Sequence, residues 1–404
     1  MTSTERKLTS VEICAGAGGQ ALGLHRALFR HLALIEIDSN AIATLEANVV
    51  GNEEWDGCRV KQADLTKLEP LELRLELGLE AGDLDLLAGG VPCPPFSVAG
   101  KQLGRDDDRD LFPDMLRLVD EFEPKAVMIE NVRGLLEPDA KFREYRNWIL
   151  GELADMGYEK CYWKVLEAKD YGVPQLRPRA ILVALKREYV PFFSKKKPEA
   201  LPLVTVAEAL EDSMRDRFND ANDPQADDRF KEWFGKASKG VAPTLVGGSK
   251  KHGGADLGPT RAKKAWEVLG VCGLGVANTP KEMHRLKSKD RDLFAKAGPK
   301  LTVTQAAIIQ GFPEDWKFTG KKTAAYRQVG NAFPPPVAQA VGEQIRKALE
   351  AAQKAGVVAQ VRQKRAEASE GRDSGELFSV ADLSAVAIPE PADRSGDLED
   401  AVVG

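Results

Sequence analysis

With 404 residues, 43% hydrophobic and 29% charged, the chain has the balance of a globular protein and length enough for two domains. No apolar run reaches the roughly 18 residues of a membrane span, and the start, MTSTERKLTSVEIC, has no apolar signal core, so a cytoplasmic protein is expected. Five scattered cysteines without a C-x-x-C pair, and four dispersed histidines, exclude a disulfide framework and a zinc site, and no metal is expected.

The first 185 residues alternate strand and helix patterns. VEICAG (11–16) is a short apolar run ending in glycine, and ALGLHRALF (21–29) follows with helical spacing. LALIEID (32–38) reads as a strand, and SNAIATLEANV (39–49) opens a helix with a Ser/Asn cap signal. LDLLAGG (84–90) is a buried-type strand, DMLRLVDEF (114–122) a helix with Met115, Leu118, Val119 and Phe122 on one face, and AVMIENV (126–132) a strand again. This order predicts an α/β fold around a doubly wound, mainly parallel sheet. The runs at 162–168 and 180–185 are separated by only eleven residues without a helix, so they are expected to form an antiparallel hairpin at one edge.

Residues 186–300 lose this rhythm. They are rich in Gly, Pro, Lys and Asp and predict a second, smaller, loop-rich domain with short strands. They hold 23 Lys+Arg against 16 Asp+Glu, a balance of +7 in a chain whose net charge is −5. A basic middle in an acidic chain suits nucleic acid, or simply a well-solvated surface. Regular structure returns at 301–352, where NAFPPPVAQAVGEQIRKALEAA (331–352) makes a helix with prolines near its start. Residues 353–404 have few large apolar side chains and read as a disordered tail.

The chemistry-bearing residues sit where these strands end. AGAGG (15–19) turns the first strand into the first helix, and Glu36 ends the second strand 20 residues after Gly16. That pairing suits an adenosine ligand whose ribose hydroxyls bind the acid. It does not separate a dinucleotide from S-adenosylmethionine, and a tight turn beside a surface acid would read the same. Cys93 follows the strand at 84–88, Glu130 ends the strand at 126–129, and Arg177 and Arg179 in QLRPR begin the last strand. Taken singly they are a buried thiol, a capping acid and surface arginines. Together at one sheet edge they suit covalent attack on an electron-poor ring, with thiolate on carbon, carboxylic acid at a ring nitrogen and arginine at a carbonyl oxygen.

The chain resembles the DNA (cytosine-5)-methyltransferases of prokaryotic restriction-modification type. AGAGG, PCPPFS, ENV (130–132), QLRPR, LTVTQAAIIQGFP (301–313) and YRQVGNAFPPP (326–336) occur in that family's order and span residues 11–345. The resemblance implies a Rossmann-like catalytic domain at 1–185, a target-recognition domain at 186–300 and a return segment at 301–352. It implies a cytosine flipped out of double-stranded DNA, attack of Cys93 on C6, support of N3 and the amino group by Glu130, and Arg179 with Arg177 on the O2 side.

S-adenosyl-L-methionine would be held by Ala15, Gly16, Gly18, Gly19, Glu36, Ile37, Asp64, Leu65, Pro92, Asn331 and Ala332. Ser97, Lys101 and Arg109, in a loop at 99–112 that closes over DNA, would meet phosphates. Lys250, Lys251 and Arg261, within a groove-facing stretch at 244–266, would do the same. A monomer is implied, with a restriction endonuclease acting on the same site as a possible companion.

Three departures stand out. Cys14 replaces the family's usual phenylalanine, Pro94 a common glutamine, and Gln305 and Ile308 a usual Glu and Arg, the last pair implying altered packing. Rival readings explain less. An amino-methyltransferase has no use for a thiol in CPPF. A transfer-RNA enzyme fits the length and Gly/Lys richness of 186–300 poorly. A non-catalytic DNA-binding module would not need Cys93, Glu130 and both arginines. A nicotinamide dehydrogenase accounts only for the glycine loop and Glu36.

Overall fold

The structure, a computed structural model, describes residues 7–92, 110–247 and 255–357, together with 359–361, 363 and 367. The chain runs β1 Thr9–Ile13, α1 Gly19–Arg26, β2 Arg30–Glu36, α2 Ser39–Val49, β3 Arg59–Gln62, α3 Pro70–Glu76, β4 Leu86–Gly89, α4 Phe112–Phe122 and β5 Ala126–Val132. It continues with α5 Arg143–Asp155, β6 Tyr158–Glu167, β7 Pro178–Lys186, α6 Val206–Asn219, α7 Ala226–Ala237 and α8 Thr260–Val268. Last come α9 Pro280–Arg285, α10 Lys289–Asp292, α11 Val303–Gln310, α12 Lys322–Asn331 and α13 Pro335–Lys354.

The strands form one seven-stranded sheet in the order β3-β2-β1-β4-β5-β7-β6. β1 to β5 pair in parallel, and the expected hairpin of β6 and β7 is inserted with β7 antiparallel against β5. The sheet is covered on both faces. Every residue of β1 and β4 is buried, as in parallel strands with two covered faces; β4 is apolar throughout, while β1 buries Thr9, Ser10 and Glu12 beside Val11 and Ile13. The order reverses between β1 and β4, which opens a crevice beyond their carboxyl ends.

One core packs α4 and α5 against the sheet, with Phe112, Met115, Leu118, Val119 and Phe122 all buried on α4. The other face carries a larger core in which Leu34, Leu45 and Ala21 meet Ala306, Ile309 and Val329 of the return segment. Val206, Leu210, Met214 and Phe218 of α6, Trp233 of α7 and Trp266 of α8 belong to that same core. The expectation of short strands at 186–300 is therefore corrected: the described residues there form helices, with an isolated bridge from Gln175 to Ala242. Their apolar residues recur every four positions and bury one helical stripe. Thr205 and Glu208 close α6 with a reciprocal capping box. The described residues up to Ala351 make one compact unit, and those from Ala352 on belong to another. The tail at 353–404 lies mostly outside the described residues.

At the amino ends of the strands, Asp85 is almost fully buried and accepts hydrogen bonds from the Thr9 amide (2.7 Å) and hydroxyl (3.1 Å). It also pairs with the buried Lys125 ammonium. This ties β1, β4 and β5 together at the end away from the crevice.

Glu12 of β1 points into the other face and is buried, with Oε2 unpartnered. Burial raises its pKa well above the ordinary 4.5, against one lowering hydrogen bond from the Ala21 backbone and a further raising effect of Glu36. The folded protein thus holds this proton more tightly than the unfolded chain does. The stability it contributes is complete below about pH 4.5 and is lost as pH rises through the raised value. Glu12→Gln should stabilise the protein by about 1–3 kcal/mol at about pH 8 and hardly at all at about pH 4, read from urea denaturation at the two pH values.

Candidate active site

The crevice is built first by the turn from β1 to α1. Gly16 and Gly18 take φ of 55° and 86°, the left-handed region that favours glycine. They serve different ends. A Cβ on Gly18 would meet the Trp316 ring at 2.8 Å, and one on Gly19 the Phe333 carbonyl at 2.2 Å, so these two let the return segment pack close. Gly16 has open space where a Cβ would stand. Its N–H donates to Glu36 Oε2 (2.8 Å), while Glu36 Oε1 accepts from the amides of Ile37 (2.8 Å) and Asp38 (2.9 Å).

Three backbone donors hold this carboxylate rigidly and leave its outward lone pairs for a ligand. Ile37 is 59% exposed beside it. From the next strand Asp64 accepts from the Thr66 amide (3.1 Å) and hydroxyl (2.8 Å), which lowers its pKa. Ala15 and Leu65 are buried and support this floor from beneath.

The set fits S-adenosylmethionine. Gly16 leaves room, Glu36 can take a ribose diol, Ile37 gives an apolar face for adenine, and the carboxylates suit a ligand carrying sulfonium and ammonium charges. Those carboxylates have a second effect. Burial, with Glu36, Glu12 and Asp114 adding, pushes the Cys14 thiol up to about 12. Cys14 stays protonated and is no nucleophile.

A second cluster lies across the switch point, at the carboxyl ends of β4 and β5 and the start of β7. Register pairs Val132 with Arg179 and Glu130 with Ile181, so Glu130 and Arg179 are diagonal neighbours on one face. Arg179 Nε meets Glu130 Oε1 at 2.8 Å, both side chains 14% exposed. The other oxygen, Oε2, borders Gly90, where a Cβ would stand 3.0 Å away. Burial raises the Glu130 pKa, opposed by the charges of Arg179 and Arg177.

Pro92 is exposed at the end of β4, two residues past Gly90. The chain there is fixed by the Asn131 amide donating to the Val91 carbonyl (3.0 Å) and by the Leu111 amide reaching the Pro92 carbonyl (3.5 Å). Beyond the gap, Tyr145 donates its hydroxyl to Asp110 (2.6 Å). Cys93, Ser97, Lys101 and Arg109 lie outside the described residues, as do Lys250 and Lys251.

Arg177 corrects an expectation. The motif alone predicts it at the reacting base, yet the residue is 1% exposed and its guanidinium donates to carbonyls: Leu245 (2.7 Å), Gly330 (2.9 Å) and Ala332 (2.8 Å). Alternation along QLRPR is not enough to send both arginines to the substrate, because Arg177 has three backbone acceptors within reach. Burial, with Arg179 adding, depresses its pKa, while Glu130 opposes this.

Two glutamines that sequence reasoning passed over complete this junction. Gln175 accepts from the Leu245 amide (2.7 Å) and donates to Gln310 Oε1 (2.7 Å), and Gln310 donates to the Ala332 carbonyl. Both stand in quoted motifs, so the signal was present as motif letters without a role. Asn331 is exposed and Ala332 buried beside it. Arg261 is exposed in the first turn of α8. Gln305 is buried, caps α11 with Thr302, and accepts from Arg217 (2.6 Å). A neutral amide therefore meets an arginine of α6 at that position.

A family model described as C-5 cytosine-specific DNA methylase matches residues 8–347. The Type II methyltransferase M.NaeI of Lentzea aerocolonigenes is 51% identical over 347 residues, covering 85% of this chain and 76% of that protein. The Type II methyltransferase M.NgoMIV of Neisseria gonorrhoeae is 49% identical, covering 85% and 98%. Among solved structures, the Entamoeba histolytica methyltransferase EhMeth superposes with a TM-score of 0.57 at 15% identity, covering 85% of this chain and 99% of that one. A prophage-encoded protein of E. coli, described as a DNA modification methyltransferase, gives 0.55 at 21% identity, again covering 85% and 99%. These two share the fold.

Proposed function

The chain belongs to the C-5 cytosine-specific DNA methylase family, and from that premise we propose that Cys93, Glu130 and Arg179 carry its reaction. It transfers a methyl group from S-adenosylmethionine to C5 of cytosine in specific DNA. The observation that supports this division of labour is the Glu130–Arg179 pair at the carboxyl edge, on the same rim as the Gly16–Glu36 cradle.

A cytosine flipped out of the duplex enters the crevice, at an unstacking cost of about a few kcal/mol. The Cys93 thiolate forms a bond to C6, and the ring electrons move toward N3. Glu130 meets that charge by donating its acid proton at N3, and its raised pKa favours the protonated form the step needs. Arg179 orients Glu130 through Nε and holds the O2 side of the ring. Gly16, Glu36, Ile37, Asp64 and Asn331 would hold S-adenosylmethionine, which would supply an electrophilic methyl group to the C5 so activated and leave as S-adenosylhomocysteine. The N3 proton then returns to Glu130, and loss of the C5 proton to a solvent base forms the C5–C6 double bond, breaks the S–C6 bond and restores the Cys93 thiolate.

Residues 186–300 form the target-recognition region, with its basic surplus against the phosphates. Ser97, Lys101, Arg109, Lys250, Lys251 and Arg261 make the backbone contacts. No helix among the described residues is long and apolar enough to cross a membrane. In this reading the protein works in the cytoplasm as a monomer, beside an endonuclease that cuts the same sequence without touching it.

The test is expression in a host without cytosine methylation, with genome-wide mapping of modified bases and identification of the nucleoside by mass. The expected result is 5-methylcytosine in one short context with the native chain and none with Cys93→Ala. An N-methylated base, or methylation that survives loss of Cys93, would overturn the mechanism.

A further inference from the structure

We propose that Arg177 is a positioning residue that couples DNA reading to cofactor binding, by clamping the recognition segment at Leu245 to the cofactor loop at Gly330–Ala332. This rests on the reading above of residues 244–266 and of Asn331. The single buried guanidinium bonds one carbonyl on the recognition side and two on the loop that carries Asn331. Its planar fork suits three fixed acceptors in a way a lysine ammonium cannot reproduce.

A second bridge runs in parallel. The Leu245 amide binds Gln175, Gln175 binds Gln310, and Gln310 binds the Ala332 carbonyl. Between the bridges the two segments touch backbone to backbone. A Cβ on Gly330 would lie 2.4 Å from the Gly247 nitrogen, and a Cβ on Gly247 would lie 2.3 Å from Asn331 Oδ1.

With no slack in this contact, a shift of residues 245–247 on DNA is passed to Asn331, and a cofactor held at Asn331 fixes residues 245–247. Such coupling must be reciprocal: whatever factor the cofactor adds to DNA affinity, DNA adds to cofactor affinity. It also explains why the motif carries two arginines with one at the base. Arg179 serves the ring, and Arg177 sets the distance between the two binding sites.

The experiment is a binding cycle on the full chain. DNA dissociation constants are measured with and without saturating S-adenosylhomocysteine, on a duplex carrying the methylated context. The native chain should bind this duplex about tenfold more tightly with S-adenosylhomocysteine present, within the range usual for coupled sites. Gly247→Ala and Arg177→Lys should each bring that ratio below about two, whatever happens to the separate affinities. If Arg177→Lys does not fold, Gly247→Ala decides, because it leaves every Arg177 hydrogen-bond partner in place. A native ratio near one, or variants that keep the native ratio while weakening both ligands, overturns the coupling. A native chain that binds neither ligand instead overturns the assignment of the two segments.

Discussion

Replacing Glu130 with glutamine should lower kcat by about 10²–10⁴-fold, the usual worth of a positioned acid. Glutamine keeps the size and can still accept from Arg179 Nε, so the 2.8 Å contact has a substitute. What it cannot do is deliver a proton to N3 as the thiolate adds at C6. The cofactor cradle is built from β1, β2 and β3, on the other side of the switch point, so KM for S-adenosylmethionine should change much less than kcat. The pH profile gives an independent check. In the proposed mechanism the protonated acid is the active form, and burial raises its pKa against Arg179 and Arg177. Native kcat should therefore fall as pH rises through that value, and the glutamine variant should lose this limb. Single-turnover methyl transfer from about pH 6 to about pH 9 measures both effects. A loss under about tenfold, or an unchanged basic limb, would remove Glu130 from the proton's path.

Lys125→Met should destabilise the fold by about 3–5 kcal/mol, because it removes the ammonium that pairs with the buried Asp85 carboxylate. Asp85 is 1% exposed, and the Thr9 amide and hydroxyl that also bond it are uncharged. The double variant Asp85→Asn with Lys125→Met should recover much of the loss, since the buried charge is then gone. Urea denaturation of the single and double variants separates a broken pair from a mere packing defect. Because the pair sits at the amino ends of the strands, the folded fraction should keep its kcat. A single variant as stable as the native chain would mean that the Lys125–Asp85 pair adds nothing to the stability of the fold.

The contrast between the two predictions mirrors what could be read in the sequence. Strands buried on both faces announce themselves as apolar runs, and β1, β2, β4, β5 and β7 fall where the runs stand. β3 was missed because RVKQ is short, charged and half-exposed at an edge. α6 was missed for another reason. Proline, lysine and aspartate set the tone of residues 186–300, although Val206, Leu210, Met214 and Phe218 step in fours behind a Thr205–Glu208 cap. Pattern there was present, and composition obscured it.

The site shows the same divide. Chain order placed Glu130 and Arg179 at one edge, because strand direction alone does that. The carbonyls that claim Arg177 come from positions 245, 330 and 332, and no local pattern brings those together. Likewise the split between Gly16, open to a ligand, and Gly18 and Gly19, closed against Trp316 and Phe333, depends on a segment some 300 residues away.

The larger core has a consequence for how such an enzyme could change its target. Leu245, Leu257 and Trp266 are fully buried in it alongside Leu34, Ala306 and Val329. A cassette cut from a relative at residues 186 and 300 would import half of an interior and leave the other half unmatched. Chimeras made that way should express poorly unless the return segment travels with the insert. New specificity is then expected stepwise, through exposed side chains of this region, while the hydrophobic partners beneath them stay together.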